Sequence, residues 1–166
     1  MIFVTLGSQK FPFNRLLKRV DALIEEGIIQ DEVFAQTGVS DYIPQHYAYK
    51  TFLDRDEFAA MTDKCDVFIT HGGTGAIIGA LKKGKKVIAV PRLAKYGEHV
   101  DDHQLQLIEQ FEELGSIAAC YDLENLGEAY EQVQWMEVAP YYSNTERIIE
   151  SIELFLKEKV RERDKK

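Results

Sequence analysis

The chain has 166 residues, with 20 Lys and Arg against 28 Asp and Glu, a formal net charge of −8 and an apolar fraction of 45%. That length suits one domain over residues 1–166, and 9 Phe, 8 Tyr and 1 Trp supply too much apolar material for an intrinsically disordered chain. The excess of acid excludes a general nucleic-acid binder, which needs a basic surface to neutralise phosphates.

The chain opens on Ile2–Leu6, a nearly continuous apolar run closed by Gly7-Ser8, which reads as a buried strand. Asn14 reads as the N-cap of a helix whose apolar stripe is Leu16, Leu17, Val20, Leu23 and Ile24, with Gly27 at the C-terminal cap. Val33–Thr37 and Tyr47–Phe52 are the expected second and third strands. A helix over 56–64 follows, with Phe58, Ala59, Met61 and Thr62 turned inward. Asp66–Thr70 is the fourth strand and runs straight into His71-Gly72-Gly73-Thr74-Gly75. A helix over 75–83 ends at Gly84, and Lys86–Pro91 is the fifth strand. A long loop to Val100 leads into a helix with Leu105, Leu107, Ile108, Phe111 and Leu114 inside. Ser116–Tyr121 is a shorter sixth strand, and helical segments near 123–134 and 144–162 close the chain.

Strands alternating with helices of this length predict βαβ units. The fold class expected is α/β, a doubly wound, Rossmann-like and mostly parallel sheet covered on both faces. No stretch approaches the 18–20 apolar residues that span a bilayer, and MIFVTLGS lacks the parts of a signal peptide. Cys65 and Cys120 have neither metal-site nor CxxC spacing. Together these predict a cytoplasmic setting in which both thiols serve packing.

In such folds ligands bind at the carboxyl ends of the strands. Three strand ends here carry unusual chemistry: Thr5–Gln9, His71–Gly75 and the loop from Pro91 to Gln104. Gly72, Gly73 and Gly75 let the backbone approach a ligand closely, and the helix that follows adds its positive N-terminal end. A diphosphate or sugar phosphate suits that environment; a tight turn that binds nothing is the plainer reading. The turn lacks the Lys-Ser/Thr ending of a P-loop. Gly73, Gly75 and Gly79 form GxGxxxG, yet after the fourth strand, and Pro91-Arg92 stands where a ribose-binding acid belongs. An NADP-dependent oxidoreductase is therefore the weakest alternative. His99 and His103, four apart beside Asp101 and Asp102, have no third ligand at fixed spacing, so no metal is expected. Asp101 or Asp102 suits an N-cap, while Asp102, His103 and Gln104 suit the hydroxyls of a sugar. Arg92 and Lys95 read equally as phosphate contacts or as solvated charges.

The run Thr70–Gly75, followed by Ala80–Pro91 and then Asp102-His103-Gln104, resembles the glycosyltransferase family 28 C-terminal domain. Val4–Ser8 is similar to that domain's opening strand and loop, so the resemblance covers roughly residues 1–120. Within the family the chain looks like a stand-alone donor-binding subunit of a two-component enzyme. It is similar to the eukaryotic cytosolic subunit that adds N-acetylglucosamine to a dolichol-linked sugar. Through Gly79–Arg92 and Tyr96–Gln104 it resembles more closely the bacterial PssE-type subunit of exopolysaccharide and capsule synthesis.

The resemblance implies the C-terminal, donor-binding half of a GT-B glycosyltransferase that transfers a hexose from a UDP-sugar, with inversion and without metal or cofactor. The acceptor is a lipid-linked saccharide, bound by a membrane-anchored partner subunit that recruits this chain to the inner face of the membrane. Carried over, Gly7 and Ser8 lie at the diphosphate end, Gly72, Gly73, Thr74 and Gly75 give backbone contacts to the diphosphate, and Asp102, His103 and Gln104 face the sugar. The general base is expected on the partner, with His71 the local candidate and a ring bonded to the glycine turn its plainer role. Many members place a ribose-binding Glu where this chain has Gly79. That departure keeps open a non-catalytic accessory subunit that enhances a partner transferase. The stripe Ile148, Ile149, Ile152, Phe155 and Leu156 reads either as a docking face for the partner or as packing on the chain's own core. The basic end from Lys157 to Lys166 reads as a frayed tail or as a contact with an anionic membrane.

Overall fold

Ile2–Thr5 has no exposed residue and forms β1 at the centre of a six-stranded sheet. The computed structural model describes residues 1–137 and 144–163, with side chains to Lys157. The other strands are β2 (Val33–Gln36), β3 (Ala48–Lys50), β4 (Val67–His71), β5 (Lys86–Val90) and β6 (Ala118–Ala119). All pairings are parallel, in the order β3-β2-β1-β4-β5-β6. Connections run outward in both directions from β1 and β4, so the crevice of a doubly wound fold lies at the carboxyl ends of these two strands.

The helices are α1 (Asn14–Glu25), α2 (Arg55–Lys64), α3 (Thr74–Lys82), α4 (His103–Glu113), α5 (Leu126–Trp135) and α6 (Thr145–Arg163). Alternation along the strands splits the core in two. Ile2, Val4, Val67, Ile69, Ile88 and Val90 meet Leu16, Leu17, Val20 and Leu23 of α1 and Leu126, Tyr130 and Val133 of α5. Phe3, Phe68, Val87 and Ala89 point the other way, against Ile77, Ala80 and Leu81 of α3 and Ile108 of α4, with Phe58 and Met61 of α2 packed beside them. Both faces are covered, which is why the central strands are apolar throughout rather than alternating. Cys65 and Cys120 are free and buried, and burial pushes their thiols up to about 11 and about 12. Among the described residues no helix is long and apolar enough to cross a membrane.

Several local expectations are corrected. α1 begins at Asn14 itself, with Phe13 at the cap; the Asn14 side chain instead donates to Asp41 and accepts from the Tyr42 amide. α2 begins one residue earlier than expected, at a capping box in which Asp54 accepts the amides of Asp56 and Glu57 while Glu57 accepts that of Asp54. The strand expected over Tyr47–Phe52 shrinks to three exposed edge residues, and the one over Ser116–Tyr121 to two. Leu114 is 72% exposed at the end of α4, although periodicity placed it inside. The α6 stripe is exposed throughout, Ile148 to Leu156 standing 50–61% open at its apolar positions, and among the described residues it belongs to neither core cluster. Of the basic end, residues 164–166 lie outside the described residues, as do the side chains beyond Lys157.

Candidate functional site

A cleft of about 540 Å³ opens at the carboxyl ends of β1, β2 and β4. Its wall includes Thr5, Gly7, Ser8 and Gln9 after β1, Gln36 at the end of β2, and His71, Gly73, Gly75 and Ala76 across the turn into α3. Phe52, Leu53, Asp54, Arg55 and Phe58 close the far side. Gly7, Ser8, His71, Gly73 and Gly75 are thus brought together from two strand ends more than sixty residues apart.

The glycine turn is shaped as much by packing as by any ligand. His71 is buried between Gly7 and Gly73: a Cβ built on Gly7 would lie 2.6 Å from its Cε1, and one on Gly73 would be closer still to Nε2. Gly7 also has φ +72°, a backbone that other residues resist. A Cβ on Gly72 would meet Gln104 Cβ at 2.8 Å, so glycine there lets α4 approach.

The amides divide into used and free. Gly72 N–H donates to Gln104 Oε1 at 3.0 Å and Gly73 N–H to the His71 carbonyl at 2.8 Å. The amides of Thr74 and Gly75, at the start of α3, have no acceptor among the described residues. Thr74 and Gly75 are exposed, and Gly75 lines the cleft together with Ser8. Free N–H groups at a helix N-terminus make an anion-binding arrangement. Gln36 supports the opposite wall: its Nε2 donates to the Gly7 carbonyl at 3.4 Å and its Oε1 accepts the Leu53 amide at 3.1 Å.

His71 is a neutral ring. Burial, with the Arg92 guanidinium adding to it, holds its pKa down to about 4. Thr70 Oγ1 donates to the Thr5 carbonyl at 3.2 Å and stands 3.3 Å from His71 Nδ1. The hydroxyl thus lies within hydrogen-bond reach of both the Thr5 carbonyl and the ring. Such a ring cannot bring positive charge to an anion, and with so low a pKa it is a weak base.

The loop after β5 departs most from expectation. Gln104 is buried and its Oε1 takes the amides of both Gly72 and Arg92, each at 3.0 Å, so that oxygen is not free for a sugar hydroxyl. Asp102 and His103 are exposed at the start of α4, outside the cleft lining; Asp102 Oδ1 accepts the Ala94 amide at 2.8 Å, and Asp101 rather than Asp102 accepts the His103 amide. Arg92 is neither a phosphate contact nor a solvated charge: it is 1% exposed and bonded to main-chain carbonyls. Lys95 is exposed, over the Tyr96 ring. His99 pairs with Asp101 at 2.9 Å, and among the described residues no group of His, Cys, Asp and Glu is arranged to hold a metal.

Sequence reasoning missed Phe52, Arg55 and Gln36. A signal existed for Arg55: a base in the first helical turn opposes the helix dipole, and here it has no ion pair among the described residues. Phe52 is a large apolar residue left 45% exposed at the cleft edge. A larger groove of about 690 Å³ runs along α1 past Arg15, Lys18, Arg19 and Tyr96. Its arginines are already committed, Arg15 to Glu98 and the Pro91 carbonyl and Arg19 to Glu26 and the Leu123 carbonyl. The smaller cleft, with free amides at the switch point, is the better candidate.

Comparison with known proteins agrees with this placement of the fold. The family model described as the glycosyltransferase family 28 C-terminal domain matches residues 1–158. The human UDP-N-acetylglucosamine transferase subunit ALG13 is 26% identical over 126 residues, 72% of this chain. The subunit of that name from Candida glabrata is 43% identical over 54 residues, 32% of this chain and 25% of the relative. The chain spans only 11% of the human relative's length. Among solved structures, an NMR structure of ALG13 superposes with a TM-score of 0.57 at 21% identity, covering 86% of this chain and 89% of that one. MurG from Acinetobacter baumannii gives 0.57 at 18% identity, with 80% of this chain against 40% of that one. The glycosyltransferase of kitacinnamycin gives 0.61 at 18%, with 81% against 34%. The fold is thus the Rossmann-like half of GT-B glycosyltransferases.

Proposed function

The chain belongs to the glycosyltransferase family 28 C-terminal domain family, and from that membership we propose that it is the donor-binding subunit of a two-component inverting glycosyltransferase. The donor is a UDP-hexose, carrying galactose, glucose or N-acetylglucosamine. The acceptor is a lipid-linked saccharide of exopolysaccharide or capsule synthesis, held by a membrane-anchored partner that recruits this cytoplasmic chain. Residues 1–166 act as one donor-binding domain, and α6 is its docking element. The observation that carries the reading is the pair of free amides of Thr74 and Gly75 at the start of α3, where Gly75 lines the switch-point cleft together with Gly7 and Ser8.

In the transfer the acceptor hydroxyl attacks the anomeric carbon as the bond to the UDP oxygen breaks, which inverts the centre. Negative charge gathers on the departing diphosphate. Preorganised N–H donors and the start of α3 meet it without reorganising, and they act most strongly once the partner closes the cleft to water. Gly7, Ser8, Gly73, Thr74 and Gly75 hold the diphosphate, Arg55 adds a positive charge at the rim, and Phe52 offers an apolar face to the base. Asp102 and His103 approach the sugar from the start of α4. The proton of the acceptor hydroxyl goes to a base on the partner, since a ring with a pKa near 4 is a poor match for that task.

The test is transfer by the co-expressed pair of this chain and its acceptor-binding partner, from each UDP-hexose to a lipid-linked saccharide. Wild type transfers and Thr74→Trp, which puts an indole beside Gly75 at the start of α3, does not. Transfer that survives Thr74→Trp in the intact complex would make this chain an accessory subunit, the reading that Gly79 favours.

A further inference from the structure

Two loops that line the cleft, 6–13 after β1 and 71–73 after β4, meet a third, 91–104 after β5. All three converge on one residue, Arg92. Arg92 is among the largest fully buried side chains of the described residues, and its guanidinium faces main-chain oxygens rather than a carboxylate. One terminal nitrogen donates to the Leu6 carbonyl at 2.6 Å. The other donates to the carbonyls of Phe11 at 2.7 Å, Pro12 at 3.1 Å and Glu98 at 3.2 Å. The Arg92 Cζ lies over the Phe13 ring, 5.0 Å from its centre. The Glu98 carboxylate is engaged elsewhere, with Arg15 at 2.6 Å and the Leu93 amide at 3.1 Å. Through its own amide, Arg92 shares Gln104 Oε1 with Gly72, which ties the β4 turn to the same point.

Leu6 and Phe11–Pro12 are the two ends of the segment that carries Gly7 and Ser8 into the cleft. A single guanidinium bonded to both ends closes that segment into a loop of set width. Burying a charge without a carboxylate is costly, and the Arg92 Nε has no hydrogen-bond partner among the described residues. A fold that needed only to fill this space would do better with an apolar side chain of the same volume.

We propose that Arg92 is a positioning residue for the donor site: by bridging Leu6 to Phe11 and Pro12 it holds Gly7 and Ser8 at the distance from the α3 amides that a diphosphate requires. This rests on the donor-binding reading above, and the test separates the two. Arg92→Met keeps volume without donors, and Arg92→Lys keeps charge but reaches fewer carbonyls. Leu23→Ala, at the far end of α1 and fully buried, supplies a comparably destabilised control remote from the cleft.

Two quantities are measured on folded protein, the backbone order of Ser8–Phe11 by 15N relaxation and the affinity for UDP by calorimetry. In Arg92→Met the loop becomes mobile on the nanosecond scale and UDP binds tenfold or more weakly; Arg92→Lys falls between, and Leu23→Ala changes neither. If both Arg92 variants match Leu23→Ala in loop order and UDP affinity, Arg92 only fills space and the proposal fails. Should Arg92→Met not fold, Arg92→Lys alone carries the comparison. Should wild type not bind UDP, the donor reading falls, and the proposal falls with it as a statement about the donor site; the loop measurement then tells separately whether Arg92 sets the loop.

Discussion

The imidazole of His71 occupies the space that a side chain on Gly7 would need, its Cε1 standing 2.6 Å from where that Cβ would be. The end of β4 and the end of β1 therefore interlock through a ring on one and a missing side chain on the other. Gly73 completes the slot from the opposite side. Two of the glycines that read as ligand contacts are thus required by a histidine as well.

Gly73 has φ −84°, a backbone that alanine adopts without strain, so the cost of Gly73→Ala comes from the His71 ring alone. That substitution is expected to destabilise by about 1–3 kcal/mol in denaturant unfolding, the usual range for overpacking. His71→Ala empties the slot, so the double variant should recover at least about 1 kcal/mol of the summed loss. Purely additive effects would show that the ring and the glycine do not meet.

His71 also sets a pH dependence. Its folded pKa, about 4, lies below the ordinary value of 6.5, so between these the unfolded chain binds the extra proton. Stability is complete above about pH 6.5 and falls as pH drops towards 4, by roughly 2–3 kcal/mol in total. His71→Asn should flatten this slope in melts over pH 4–7, and the wild-type His71 Cε1 proton should hold its neutral shift down to about pH 5. Asp21 acts in a different window. Burial works against its charge, but hydrogen bonds from Tyr42 and from the amides of Gln45 and His46 outweigh burial and hold its pKa below the usual carboxylate value. Its contribution is present above the ordinary carboxylate pKa of 3.8 and is lost only as pH falls below it.

The exposed stripe of α6 makes a prediction in two halves. Phe155 and Ile149 stand 57% and 50% exposed, so Phe155→Glu and Ile149→Glu should change unfolding of the isolated chain by no more than about 0.5 kcal/mol. The same variants should abolish co-purification with the acceptor-binding partner. Loss of stability without loss of association would place the stripe on this chain's own core.

Gly79 lies on the exposed side of α3, and a Cβ built there meets nothing within 4 Å. Gly79→Glu should therefore fold and gain about 0.5–1 kcal/mol from helix propensity. If the position serves the donor's ribose, the variant should bind UDP several-fold more tightly while its affinity for the 2′,3′-dideoxy analogue stays level. Equal gains for both nucleotides would remove the ribose from the account.

The sheet was legible because a doubly covered parallel strand leaves a continuous apolar run, and because each helix repeats its inward face every three to four residues. The cleft was legible for a related reason: glycines and polar residues cluster where strands end, and Gly7, Ser8, His71, Gly73 and Gly75 do meet there. Arg92 and Gln104 were misjudged. Both are polar types that ordinarily face solvent, and their burial depends on partners far away in sequence, such as the Leu6 carbonyl 86 residues from Arg92. No local spacing encodes such a partnership. Leu114 failed in the opposite sense: its place in the α4 period is inward, but the helix ends there and leaves it in solvent.

The central claim is that the amides at the start of α3 and the loop after β1 jointly hold the diphosphate of a UDP-sugar. A titration of the 15N-labelled chain with UDP, followed amide by amide, tests this most directly. The predicted result is saturable shift changes at Gly7, Ser8, Thr74 and Gly75, with Gly72 moving little because its N–H is held by Gln104, and no such response to NADP. Saturable changes confined to the groove along α1, or none in either loop at millimolar UDP, would contradict it.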